Sequence, residues 1–115
     1  MGLNFNKIFF LLFILNIPNY LYAGALLLGK EKAAIVCAAC HGMDGQAASG
    51  GNSSLTPNIT AQEKEYLLAK LKDYKSGKIN HPQMSLIAQM LSDEDIENVS
   101  EWYSKIKISI ELPLE

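Results

Sequence analysis

The chain has 115 residues and a mass of 12.7 kDa, enough for one domain but not for separate cofactor and substrate domains. Apolar residues make up 49% of it, yet every phenylalanine falls within the first 23 residues, so the remainder has a modest apolar core. A formal charge of −2 with no arginine excludes a basic nucleic-acid binder, and two cysteines only three positions apart exclude a disulfide framework. A core of this size usually needs a metal or cofactor to stay folded.

In chain order, Lys7 introduces the apolar run from Ile8 to Leu15, which is far shorter than the ~20 residues a membrane-crossing helix requires. Ala23, Gly24 and Ala25 follow, completing the charged, apolar and small-residue pattern of a secretory signal. A cut after Ala23 or Ala25 is expected. Residues 1–23 are then a cleaved signal peptide and 24–115 a single domain, exported to a bacterial periplasm and not held in a membrane once the leader is gone. No cysteine stands at the cut, so a lipid anchor is not expected.

The remaining sequence favours Ala, Leu, Lys and Glu, with Val36 and Val99 its only valines, which predicts an all-α fold. A first helix is expected from about Leu26 or Gly29 to Cys40, broken by Gly42, Asp44 and Gly45. Gln46 to Thr56 reads as a loop. Thr60 and Glu63 have capping-box spacing, and behind them Leu67, Leu71 and Tyr74 recur at helical intervals up to Gly77, a helix stop. A polar stretch from Lys78 to Gln83 contains Pro82, and Ser85 to Leu91 reads as a short buried helix. Ser92, with Asp93, Glu94 and Asp95, caps a final helix whose apolar face carries Ile96, Val99, Tyr103 and Ile106, with Trp102 beside it. The alternation from Ile108 to Glu115 is too short to force a strand.

The segment Cys37-Ala38-Ala39-Cys40-His41 carries the chemistry. Cys-x-x-Cys-His is the attachment sequence of c-type haem. Thiols at i and i+3 lie on one side of a helix end, where they can add to the two vinyl groups, and the adjacent histidine is carried beneath the iron. Two other uses of the same residues exist. A thioredoxin-like dithiol is expected beside a βαβ unit, for which there is no strand signal. A zinc site built from Cys37, Cys40 and His81 falls short of the usual four ligands.

With Cys37-Ala38-Ala39-Cys40-His41-Gly42, Asp44-Gly45, Pro57, Tyr66-Leu67-Leu68, Tyr74-Lys75-Ser76-Gly77-Lys78, Met84 and Leu91-Ser92-Asp93-Glu94-Asp95-Ile96, the chain resembles a class I c-type cytochrome from about Gly29 to Ile106. It is similar to the small bacterial monohaem type, related to domains of periplasmic dihaem cytochromes and to the cytochrome subunit of sulfide-oxidising flavocytochromes. The resemblance implies a cytochrome c fold, three main helices and a short one wrapped around one haem held covalently through Cys37 and Cys40.

Of the four methionines, Met1 leaves with the leader and Met43 is too close to His41 to reach the far face of a haem. Met84, in the loop after Pro82, is where the resemblance implies the distal ligand to His41. Met90, within an apolar run, reads as core filler, and His81 is the bis-histidine alternative. The resemblance also implies that the Pro57 carbonyl accepts a hydrogen bond from the far nitrogen of His41; a stiffener of the loop is its other reading. Gly29 is suited to a close helix crossing against Trp102 or Tyr103.

One position departs from the pattern. Ile79 stands where relatives place a basic residue, so Lys75, Lys78, backbone donors or water are left to meet the haem propionates. The expected function is one-electron transfer between redox proteins, without enzymatic activity. The alternatives are a subunit of a flavoprotein complex of the sulfide dehydrogenase type and a gas-binding or weakly peroxidatic haem protein. An apo-chain is expected to be largely unfolded.

Overall fold

The computed structural model describes residues 17–47 and 56–113, with side chains from residue 23 onward. The apolar run of the leader, residues 48–55 of the expected loop and residues 114–115 lie outside the described part. Five helices and no strand occur among the described residues: α1 (Ile17–Val36), α2 (Ala38–His41), α3 (Lys64–Lys75), α4 (Met84–Gln89) and α5 (Asp93–Ser104). No helix there is long and apolar enough to cross a membrane.

Helix α1 is built from strong helix formers and differs from the sequence expectation at both ends. It begins before Leu26, and it stops at Val36 rather than running on to Cys40. Cys37 is a turn, after which α2 adds one further turn, its amides donating back to the Cys37 carbonyl and Gly42 closing it at φ +75°.

The crossing of α1 and α5 organises the core. A side-chain carbon on Gly29 would lie 2.0 Å from the Asn98 carbonyl oxygen and 3.2 Å from Trp102 Cβ, so only glycine lets these backbones come this close. The close approach thus falls mainly on the Asn98 backbone, with Trp102 second. One turn on, Ala33 is wholly buried against Leu67 of α3 and Tyr103 of α5, with Cys37, Ile59, Trp102 and Ile106 packed around them. Lys32 of α1 pairs with Asp95 at 3.0 Å. On the other side, Lys64 at the start of α3 reaches Glu97 and the buried Glu101 of α5.

The start of α5 follows its sequence signal. The Asp95 amide donates to Ser92 Oγ at 3.0 Å and the Ser92 amide donates to Asp95 Oδ2 at 2.9 Å, a reciprocal capping box. That backbone donor, and Lys32 beyond it, hold the Asp95 carboxyl below its ordinary range.

The start of α3 does not follow its signal. Glu63 occupies the cap position without a side-chain cap bond, and Thr60 Oγ1 donates to the Asp44 carbonyl at 2.5 Å instead. Ala61, at φ +53°, turns the chain so that its amide donates to the Tyr103 carbonyl at 3.0 Å. A longer-range tie has taken the hydroxyl that the local motif would have used. The C-terminal stop is as expected, with Gly77 at φ +78° just past α3.

The run from Leu86 to Leu91 is only partly buried. Ala88 and Leu91 are in the core, but Leu86 and Met90 are 65% and 72% exposed. Met90 is therefore not core filler: on a six-residue helix only one narrow stripe can face inward, and Ala88 takes it.

Candidate functional site

Helices α2 to α5, the Cys37 turn before α2 and the loops that follow α2 and α3 line a cavity of about 320 Å³. Its walls are mainly apolar, with Ile59, Leu67, Leu71 and Val99 contributing, and Cys37, His41, Pro57, His81 and Met84 all line it. The cavity thus brings together residues that the sequence holds far apart.

His41 is 8% exposed at the end of α2. Its Nδ1 lies 3.0 Å from the Pro57 carbonyl oxygen. A carbonyl can only accept, so Nδ1 carries the hydrogen and Nε2 keeps its lone pair for a metal. The loop that carries His41 is tied down from across the fold. The Tyr103 hydroxyl donates to the Gly42 carbonyl at 2.9 Å, and Trp102 Nε1 donates to the Met43 carbonyl at 3.1 Å. The Ile59 amide donates to the Gly45 carbonyl at 2.8 Å, and Gly45 at φ +75° has no space for a side chain against Thr60.

Cys37 is half-buried in the cavity wall, whereas Cys40 is exposed on α2 and is not among the lining residues. Burial pushes the Cys37 thiol up to about 11, and a hydrogen bond with the Tyr103 phenol pulls it only part of the way back. Burial likewise raises the Tyr103 phenol. A dithiol redox centre needs a cysteine shifted the other way, so the thioredoxin-like alternative has no support here. No group of three or more histidine, cysteine or acidic side chains that could hold a metal ion occurs among the described residues, so Cys37, Cys40 and His81 form no zinc site.

The lysines expected at the propionates are engaged elsewhere. Lys75 pairs with Asp93 at 2.7 Å and Lys78 with Asp73 at 3.0 Å, and neither lines the cavity. The lysine that does line it is Lys70, whose ammonium sits over the Tyr66 ring at 5.5 Å. Sequence reasoning missed Lys70. The signal was present, since it follows Tyr66 and precedes Tyr74 by one helical repeat each, next to the Leu67–Leu71–Tyr74 stripe. Ser100 was also missed: its hydroxyl is buried in the cavity wall without a hydrogen-bond partner.

Residues 26–107 match the family model for cytochrome c. The chain belongs to the cytochrome c family. It is 40% identical over 85 residues to cytochrome c-554(548) of Halomonas halodenitrificans, covering 71% of this chain and 96% of that protein. It is 37% identical over 87 residues to cytochrome c-553 of Helicobacter pylori, covering 75% and 88% respectively. It is also 34% identical over 88 residues to cytochrome c4 of Pseudomonas aeruginosa, spanning 76% of this chain but 41% of that longer protein. The chain is accordingly a small c-type cytochrome, an electron carrier and not an enzyme, with one covalently bound haem c at the Cys37-x-x-Cys40-His41 motif. The pocket suits that group: an apolar cavity, a thiol in its wall, and an imidazole and a thioether lining the same space, a donor pair typical of cytochromes c.

Proposed function

We propose that this cytochrome c holds its iron between His41 Nε2 and Met84 Sδ and works as a periplasmic carrier of single electrons between redox proteins. The observation that carries the reading is that the Cys37–His41 motif and Met84, more than 40 residues apart, line one cavity while the other nitrogen of His41 is committed to Pro57. Bound haem supplies a one-electron ferrous–ferric couple in that space.

The residues around it have separable tasks. Cys37 and Cys40 fix the group covalently. Pro57 orients the His41 ring and makes it a better donor through its hydrogen bond. Met84 is a soft thioether that favours the reduced state and raises the potential. Leu67, Leu71, Ile59 and Val99 exclude water, and Lys70 supplies positive charge at the cavity wall for the propionates. Two strong protein ligands leave no open position for a substrate, in keeping with a carrier.

Export follows from the leader. Cleavage after Ala23 or Ala25 removes the first 23 or 25 residues and leaves the Gly29–Ala33 face of α1 that packs on α5. The remaining domain then sits in the compartment where haem attachment to exported chains takes place, and no helix among the described residues is long and apolar enough to cross a membrane.

Absorption spectra of the oxidised and reduced holoprotein test the ligand set. Wild-type ferric protein should show the weak sulfur-to-iron charge-transfer band, and Met84→Ala should abolish it. Persistence of the band in Met84→Ala would overturn the Met84 assignment, and absence of covalently bound haem from the exported protein would overturn the reading entirely.

A further inference from the structure

The segment from Ile79 to Ser85 is tied to α3 by the Ile79 amide, which donates to the Asp73 carbonyl at 3.1 Å, and beyond that is fastened largely to itself. Ser85 Oγ accepts from the His81 amide at 3.0 Å and lies 3.2 Å from the Ile79 carbonyl, to which it donates. The amides of Gln83 and Met84 both point at His81 Nδ1, at 3.3 and 3.2 Å. The His81 ring meets Tyr74 of α3 edge-on, with centroids 5.8 Å apart, and lines the cavity beside Met84.

This is the arrangement of a helix N-cap moved one turn upstream of α4. A capping side chain accepts from the amides two and three positions later, which here are Gln83 and Met84. The Ser85 amide already donates to the His81 carbonyl at 3.1 Å, and Pro82 then stands at the first helical position, where its missing amide costs nothing. Gln83 makes no side-chain cap bond of its own. A helix of six residues does not hold itself, so the Met84 end depends on what receives its free amides. Because Nδ1 accepts, the ring's hydrogen is on Nε2.

We propose that His81 is a positioning residue for Met84. Its ring takes the amides of Gln83 and Met84 and leans on Tyr74, which fixes where the thioether sits in the cavity and slows its release from the iron. The role rests on Met84 being the ligand, and it is a different role from the bis-histidine one, because an accepting Nδ1 leaves the hydrogen on Nε2, which then has no lone pair to offer an iron.

The test uses the ferric holoprotein and the rate at which added imidazole replaces the methionine, followed by loss of the sulfur-to-iron band. His81→Leu removes the acceptor and should raise that rate about fivefold, the factor corresponding to loss of a typical cap. His81→Asn restores a capping oxygen at the same place and should keep the rate near the wild-type value. A His81→Leu rate equal to wild type overturns the proposal, and so does a His81→Asn rate as fast as that of His81→Leu, which would reduce the ring to bulk packing. Met84→Ala serves as the separate control. If it keeps the band, the ligand assignment itself has failed; if it loses the band while His81→Leu is unaltered, only the role of His81 has.

Discussion

The two sides of the cavity are built differently. The His41 side is sewn to distant parts of the chain: Pro57 accepts from its ring, while Tyr103 and Trp102 donate to the backbone at Gly42 and Met43 across separations of 61 and 59 residues. The Met84 side is held by bonds between residues at most six apart, on a short helix that leaves Leu86 and Met90 in solvent. Long-range ties break only when the helices part, whereas local ties can open alone. The imidazole is therefore fixed by the fold as a whole and the thioether by its own loop.

The strongest way to break this contrast is at the helix crossing. Gly29→Ala places a carbon against the Asn98 carbonyl, and chemical denaturation of the holoprotein should show a loss of about 3 kcal/mol. A loss below about 1 kcal/mol would mean that α1 and α5 move apart easily, and the His41 side would lose its claim to rigidity. Native-state hydrogen exchange compares the two sides directly. The Ser85, Ile87 and Met90 amides should open at a free energy at least about 1.4 kcal/mol below that of the Cys37 and Ala61 amides, a tenfold difference in protection. Exchange of both sets only through global unfolding would erase the distinction. The smallest effect is expected from Tyr103→Phe, which deletes the donor to the Gly42 carbonyl and should cost about 1 kcal/mol. Thermal denaturation reads that cost, and the sulfur-to-iron band should stay unchanged, because no part of the Met84 loop leans on that hydroxyl.

The contrast also separates what could be read from the residues. The Ser92 cap was legible because both partners lie within four positions and nothing distant competes for them. The Thr60–Glu63 signal has the same form but was overridden, since Asp44, 16 positions away, claims the Thr60 hydroxyl. Met90 looked like core by composition alone, and its exposure depends on which stripe of α4 faces α3. Ser100 went unseen for a related reason, since a serine on an amphipathic helix carries no mark of the cavity it borders, whereas Lys70 had only its spacing from Tyr66 and Tyr74 to show it.

The sequence by itself determined the attachment chemistry, the helical class and the small candidate set for the second ligand. These depend on spacing and on residue type, which are local properties. Only the tertiary structure decided that Lys70 rather than Lys75 or Lys78 borders the cavity, that Met90 faces solvent, and that His41 is held from afar while Met84 is held from nearby. Those outcomes follow from how helices cross and which hydroxyls and carbonyls then come within reach. The modest apolar core has its counterpart in a cavity of about 320 Å³ with mainly apolar walls, which suits the haem.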